Sequence, residues 1–186
     1  MTPLHSLWLP ILLSSVVVFL VSSLVHMLTP WHKDDYAQLP DQDRAMDALR
    51  GLAIPPGDYM VPKPRSRQEL STGEFAEKMK KGPVMVLTVI PSGPPAMGSN
   101  LALWFVYLLA IGVFSGYVTG RALPQGAHSL AVFRMVSTIA WLGYAAALWQ
   151  MSIWYRRSWG TTVRATVDGL LYALLTGGVF GWLWPR

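Results

Sequence analysis

Four long apolar stretches, separated by polar segments, dominate the pattern of hydrophobic and polar positions along the chain. They cover about residues 7–28, 101–118, 130–150 and 162–184. A helix needs roughly 20 predominantly apolar residues to cross the hydrocarbon core of a bilayer, and the four stretches meet that requirement. The pattern therefore predicts an all-α membrane protein with four transmembrane helices.

The first stretch, within residues 1–28, is expected to be a retained transmembrane helix. No lysine or arginine precedes it, its apolar run is long, and no small-x-small cleavage motif lies before Pro30. These features distinguish it from a signal peptide. The remaining three helices fall within residues 101–186.

A structured extramembrane loop of about 70 residues, 29–100, is predicted between the first two helices. Within it, short helices are expected at about 41–50 and 71–81, the second beginning with a capping box formed by Ser71 and Glu74. Charged residues four positions apart stabilise a helix surface. Two such pairs are expected on the second helix, Glu74 with Lys78 and Glu77 with Lys81.

The apolar run 84-VMVLTVI-90 is predicted to be extended, because it is short, rich in valine and flanked by proline and glycine. No partner strand is apparent for it. We therefore expect it to lie against the end of the helix bundle or the membrane surface.

Small residues recur every four positions on two of the predicted helices, which lets a neighbouring backbone come close. The helix-packing residues of these stripes are Gly112, Gly116, Gly120, Ala165, Gly169, Ala173, Gly177 and Gly181. Packing within the chain is the favoured interpretation. A homo-oligomer interface would use the same stripe, and the pattern does not separate the two uses.

Composition supports the membrane assignment, since 52% of the residues are hydrophobic and only 13% are charged. Soluble domains carry about 25% charged residues. The absence of cysteine excludes disulfides and thiolate metal sites. The expected partners are the lipid bilayer and either further copies of the chain or another membrane protein. The net charge of +5 is attributed to topology signals, and no nucleic-acid binding is expected.

Basic residues in the short loops predict the orientation. The loop after the second span offers only Arg121, whereas the loop after the third carries Arg156 and Arg157, with Arg164 just beyond. The positive-inside rule puts this third loop in the cytoplasm. By alternation, loop 29–100 is cytoplasmic and both termini are periplasmic in a multi-pass protein of the cell inner membrane.

Three ionisable residues lie at membrane depth, where a charged side chain needs a partner or access to water: His26, Arg134 and Asp168. The favoured partner of Asp168 is Arg164, four residues earlier on the same helix. The alternative is a polar site in which His26 meets Asp168 across the bundle.

The stretch 22-SSLVHMLTPWHKDDY-36 contains further candidate ligands. His26, His32, Asp35 and Asp168 are a set that would suit zinc, iron or manganese, yet no metal-binding spacing is present, and metal binding stays open. The favoured interpretation is that an interfacial Trp/Tyr girdle and a solvated charge run follow the helix end. No cofactor is expected. The candidate polar site consists of His26, His32, Asp35, Arg164 and Asp168.

No nucleophile elbow, P-loop or dinucleotide-binding motif occurs in the chain. The leading hypothesis is therefore a polytopic membrane protein of non-enzymatic scaffold or accessory type. The alternatives are a membrane-embedded metal-binding protein or enzyme, or a pathway for a small solute or protons, using His26 and Asp168.

The order of motifs resembles a family of small, functionally uncharacterised bacterial inner-membrane proteins with four spans. The resembling pieces are 26-HMLTPWHKDDY-36, 56-PGDYMVP-62, 82-GPVMVLTVIPSGPPAMG-98 and 168-DGLLYALLTGGVFGWLWP-185. The resemblance implies the four-span topology and no particular activity.

Overall fold

A computed structural model describes all 186 residues. The chain divides into two compact units, the first formed by Met1–Ala37 with Ala96–Arg186, and the second by Gln38–Pro95. The second unit is smaller than the predicted loop 29–100. Residues 29–37 and 96–100 belong to the helical unit.

Seven α-helices and two strands make up the fold. They are α1 (Trp8–Leu28), α2 (Gln42–Arg50), β1 (Gly57–Val61), α3 (Gly73–Lys81), β2 (Met85–Val89), α4 (Met97–Ala122), α5 (Ser129–Ala145), α6 (Trp149–Ile153) and α7 (Trp159–Leu183). Four helical segments are long and apolar enough to cross a membrane, which confirms this part of the prediction: Leu4–Leu28, Met97–Ala122, Ser129–Ile153 and Trp159–Leu183. The third includes α5, a 3-10 turn at Ala146–Leu148, and α6.

The four long helices form a closed bundle. Helix α7 packs against α5 and α1, and α4 packs against the same two neighbours. One half of the core is aliphatic and aromatic, with Leu7, Ile11, Val132, Val136, Phe180 and Trp184. The other half contains Val18, Leu108, Ala140, Tyr144, Tyr172 and Ala173. The buried tyrosines of the core therefore lie only in the half nearer the C-terminal end of α1.

The small-residue stripes lie at contacts between helices of the same chain. A Cβ atom added to Gly112 would meet Ile11 at 3.3 Å, and one added to Gly116 would meet Phe180 at 3.1 Å. The closest neighbours of the other stripe glycines are Thr2 for Gly120, Ala145 for Gly169, Ser137 for Gly177 and Ser129 for Gly181. Ala173 is fully buried. The stripes are thus occupied inside the bundle, which leaves the outer helix faces for any partner.

In the unit Gln38–Pro95, the expectation that segment 84–90 has no partner strand is wrong. Strand β2 pairs antiparallel with β1, with Gly57 opposite Val89 and Val61 opposite Met85. The carboxylate of Asp58 also accepts a hydrogen bond of 2.7 Å from the Thr88 hydroxyl. Strand β1 is short and ends at Val61, just before Pro62. Its sequence therefore shows no extended alternation of apolar and polar residues that would predict a strand.

The two short helices of this unit start at side-chain caps. Asp41 accepts a 3.0 Å hydrogen bond from the Arg44 amide, so α2 begins at the next residue after the cap. The predicted Ser71 cap of α3 is wrong. Thr72 caps α3 because its backbone is extended and its hydroxyl accepts from the Phe75 amide at 3.2 Å, whereas Ser71 still belongs to a 3-10 turn.

Of the two predicted ion pairs on α3, Glu74 with Lys78 is confirmed at 2.8 Å. The pairing of Glu77 with Lys81 is wrong, because Glu77 contacts Lys80 at 2.7 Å instead. Residues three apart on a helix are neighbours just as residues four apart are. Spacing alone therefore does not choose between the two lysines.

Gly177 offers a direct test of the close packing between α7 and α5. In Gly177→Ala, the new Cβ would lie 2.8 Å from the backbone carbonyl of Phe133 and would overlap the Ser137 side chain. We expect the free energy of unfolding to fall by about 1–3 kcal/mol, as for other overpacked cores. Unfolding in detergent, followed by circular dichroism, measures this change.

The adjacent Gly178 is the matched control, because a Cβ added there has no neighbour within 4 Å. We expect Gly178→Ala to leave stability unchanged or slightly raised, since alanine favours helix more than glycine does. Equal destabilisation by both substitutions would contradict this account of the helix contact.

Candidate functional site

The segment after α1 folds back onto the start of α7. Thr29 ends α1, with its hydroxyl donating to the Val25 carbonyl at 2.6 Å, and the 3-10 turn Pro30–His32 follows. This turn contacts α7. A proline at the first position of the turn fixes the backbone direction there, which sends the chain back toward the bundle.

His32 lies at the centre of the resulting cluster. Its Nδ1 is 2.8 Å from Oδ2 of Asp35, and its Nε2 is 2.9 Å from Oδ2 of Asp168. The first contact is a hydrogen bond. The second is close but not aligned with the ring nitrogen, so Nε2 is buried without a directed hydrogen bond. The side chain of His32 is only 15% exposed between its two carboxylates.

Arg164 holds Asp35 rather than Asp168, so the predicted pair within α7 is wrong. Its Nε donates to Oδ1 of Asp35 at 2.8 Å, and its Nη2 lies 2.6 Å from the same oxygen. Nη2 also donates to the backbone carbonyl of Asp34 at 3.2 Å. The folded-back segment supplies carboxylate and carbonyl acceptors together, which one acidic residue on the same helix cannot do.

Burial alone would raise the pKa of the Asp35 carboxyl. The hydrogen bonds from His32 and Arg164, together with the positive charge of the Arg164 guanidinium, outweigh that effect and hold the pKa below its ordinary value. Asp35 is therefore an ionised carboxylate at neutral pH. It can orient the His32 ring and keep a proton on Nδ1.

Asp168 is buried, with 6% of its surface exposed. Besides its contact with His32, its Oδ1 accepts a 3.1 Å hydrogen bond from the indole nitrogen of Trp31. Trp31 and His32, two consecutive residues of one short turn, thus each contact one oxygen of this carboxylate. Such partners are what a carboxylate needs when it leaves water.

His26 approaches the cluster from the last turn of α1. Its ring stacks on that of His32, with the ring centres 4.1 Å apart and the planes 11° from parallel. Its Nδ1 lies 2.9 Å from the Ser22 carbonyl. Because a carbonyl oxygen only accepts, Nδ1 carries a hydrogen, and Nε2 is the nitrogen that is left for another partner.

All five residues of the predicted polar site come together, although the contacts among them differ from the favoured pairing. His32 and Asp35 are packed into the cluster, so the interpretation of this stretch as a wholly solvated charge run is wrong for these two residues. Asp34 and Tyr36 are exposed. Trp31 was expected only as part of an interfacial girdle. Its hydrogen bond to Asp168 spans 137 positions, and no local spacing signals it.

The half of the bundle farther from the cluster bears on the idea of a continuous polar pathway. Beneath Asp168, Tyr144 and Tyr172 form an aromatic contact with ring centres 5.9 Å apart. Beyond them, Leu7, Val132 and Phe180 are fully buried in the aliphatic and aromatic core. Ser115 and Thr119 of α4 are fully buried as well, next to the glycines that contact Leu7 and Phe180. This half of the core thus contains hydroxyl groups as well as apolar side chains, and a path through the bundle stays a hypothesis.

No protein-family model, curated protein or solved structure matches this chain. The interpretation of the cluster accordingly rests on its geometry and chemistry.

The contact between Arg164 and Asp35 generates a stability prediction. Arg164→Gln removes the charge and leaves a partly buried carboxylate without its strongest donor. We expect the free energy of unfolding in detergent to fall by about 1–3 kcal/mol, the range for a buried group that loses its hydrogen-bond partner. Arg121→Gln is the control, because Arg121 is an exposed arginine near the end of α4. Equal effects of the two substitutions would contradict the assigned role of the Asp35 contact.

Proposed function

We propose that the chain is an integral membrane protein in which all four long helices cross the bilayer. The supporting observation is a stripe of exposed aliphatic side chains along α1, each 37–56% exposed: Leu9, Leu12, Val16, Leu20 and Leu24. Similar side chains are exposed along α7, namely Val163, Val167, Leu170, Leu171 and Leu174. Contiguous apolar surface on this scale suits lipid rather than water.

The proposed location is the bacterial inner membrane, with loop 29–100 in the cytoplasm and both termini in the periplasm. The basic residues Arg156 and Arg157, between α6 and α7, support this orientation through the positive-inside rule. The same placement puts the His26–Asp168 cluster near the cytoplasmic boundary. The resemblance to four-span bacterial proteins is consistent with this topology and is part of the proposal.

Single-cysteine labelling tests the topology, because the chain has no cysteine of its own. The exposed positions Ser66, Gln125 and Ser158 lie in three different connecting segments. In spheroplasts, a membrane-impermeant maleimide should label Gln125→Cys directly. Ser66→Cys and Ser158→Cys should react only after permeabilisation. Labelling of Ser66→Cys in intact spheroplasts would overturn the orientation.

The proposed role is that of a non-enzymatic accessory or scaffold protein, in which the bundle anchors the unit Gln38–Pro95. The observation that carries it is the state of α2. This helix is amphipathic, yet it buries none of its residues. The apolar side chains of Met46 and Leu49 on this helix are 51% and 43% exposed, and Leu52, just after the helix, is 67% exposed. An amphipathic helix with an uncovered apolar face is a common means of recognising a partner.

The partner of α2 is proposed to be another membrane protein or a second copy of the chain. The glycines of the small-residue stripes already contact other residues of the same chain, so the stripes do not offer a surface to a partner. A partner contact therefore needs a different surface. The unit Gln38–Pro95 supplies one, since Phe75 is its only large side chain in the buried core.

The double substitution Met46→Gln and Leu49→Gln tests this role, because glutamine keeps helix propensity while removing the apolar face. In cross-linked native membranes, the wild-type chain should migrate as a discrete complex, and the double variant mainly as the single chain. Co-expression of two differently tagged copies distinguishes self-association from a second protein.

Arg44→Gln is the control for this experiment, because Arg44 is exposed and lies on the polar side of the same helix. It should retain the complex. A wild-type chain that stays monomeric in cross-linked membranes would overturn the accessory proposal, and so would a complex that the double variant leaves intact.

A further inference from the structure

We propose that His26, His32 and Asp168 form a binding site for a divalent first-row transition-metal ion. One nitrogen of each histidine and one carboxylate oxygen lie within 4.8 Å of one another. The three residues come from the end of α1, the following turn and α7. Two imidazoles and one carboxylate are a donor set used for zinc, iron(II) and manganese(II). This site does not depend on the accessory role proposed for α2.

The contact between His32 and Asp168 has the geometry of two ligands that face one ion. Its nitrogen–oxygen distance is 2.9 Å, but the two atoms are not aligned as a hydrogen bond. Two ligand atoms with bonds of roughly 2.1 Å to one ion lie about 3.0 Å apart at an octahedral angle and about 3.4 Å apart at a tetrahedral angle. Their lone pairs then point at the ion rather than at each other. This arrangement explains why Nε2 of His32 and Oδ2 of Asp168 are close without being aligned as a hydrogen bond.

The acceptors beside the two histidine rings favour the tautomer that leaves Nε2 for a metal. Asp35 accepts from Nδ1 of His32 at 2.8 Å, and the Ser22 carbonyl accepts from Nδ1 of His26 at 2.9 Å. Both rings can thus offer Nε2. Carboxylate and carbonyl acceptors behind metal-binding histidines commonly have this role. Arg164 in turn holds Asp35 at 2.8 Å.

Neighbouring residues also fix the orientation of the Asp168 carboxylate. The indole of Trp31 donates to Oδ1 at 3.1 Å, and Oδ2 is the oxygen that lies beside His32. The formal charges favour a cation, since the cluster holds two carboxylates, Asp35 and Asp168, and a single guanidinium, that of Arg164. Burial of Asp168 strengthens its attraction for a positive ion by excluding water.

His26 is the ligand that moves. An imidazole binds a metal in the plane of its ring, and the rings of His26 and His32 are stacked 11° from parallel. They cannot both meet one ion in this arrangement, so His26 turns about its side-chain bonds on binding. It is exposed and is held by one hydrogen bond to Ser22, which leaves it free to do so. His32 and Asp168 therefore form the fixed part of the site.

The test uses the full-length protein, purified in mild detergent and stripped with a chelator. Titration with Co²⁺, followed by visible absorption, reports nitrogen and oxygen ligation. Competition with Zn²⁺ and Mn²⁺, with metal analysis after desalting, gives stoichiometry and preference. We expect one ion per chain.

His32→Ala and Asp168→Ala should abolish the Co²⁺ bands. Asp35→Asn should weaken binding about 10–100-fold, as expected for loss of a carboxylate behind a histidine ligand. His26→Ala alters an exposed residue and should keep the fold. It should also weaken binding and change the Co²⁺ spectrum, so the proposal stays testable if the Asp168 variant fails to fold.

His5→Ala and His128→Ala are the controls, because they remove the two histidines outside the cluster. Both should bind as the wild type does. The proposal is overturned if the wild type retains no stoichiometric Co²⁺, Zn²⁺ or Mn²⁺. It is equally overturned if His26→Ala and His32→Ala bind the ion as tightly as the wild type does, or if either control loses binding. Complex formation in membranes is measured separately, so the two proposals can fail independently.

Discussion

The buried carboxylate of Asp168 is the constraint around which the end of the helix bundle is organised. A carboxyl group surrounded by apolar helices needs polar contacts from the protein itself. Trp31 and His32 supply these contacts, and both come from the turn that follows α1. The segment after α1 must therefore fold back onto α7. Asp35 arrives with it and forms the ion pair with Arg164.

The closeness of the helices is the second condition for this arrangement. Gly112 on α4 lets this helix approach α1, and Gly169, Gly177 and Gly181 on α7 let that helix approach α5. Helices α1 and α7 pack against each other in the same bundle. Only then does His26, at the end of α1, reach the level of Asp168. The aliphatic and aromatic half of the core closes the bundle beyond the tyrosines. The result is a polar site at one end of the bundle.

The two proposed activities use separate parts of the molecule. The cluster belongs to the helical unit, and α2 belongs to the unit Gln38–Pro95. A metal ion at His26, His32 and Asp168 would tie the end of α1 to α7 and would add stability whenever it is bound. An accessory role instead needs the exposed apolar face of α2 and no chemistry at the cluster. Either property can therefore exist without the other.

Local properties of the chain could be predicted from the sequence, because hydropathy, helix length and small-residue spacing each depend on neighbouring positions. They determined the four long helices and the glycine stripes, and they suggested five residues of the polar cluster but not Trp31. Long-range contacts decided the rest. The pairing of Arg164 with Asp35 requires the turn at Pro30, and the pairing of β1 with β2 joins residues about 30 positions apart. Spacing along one helix favoured Asp168 for Arg164, but tertiary structure brought a better acceptor within reach.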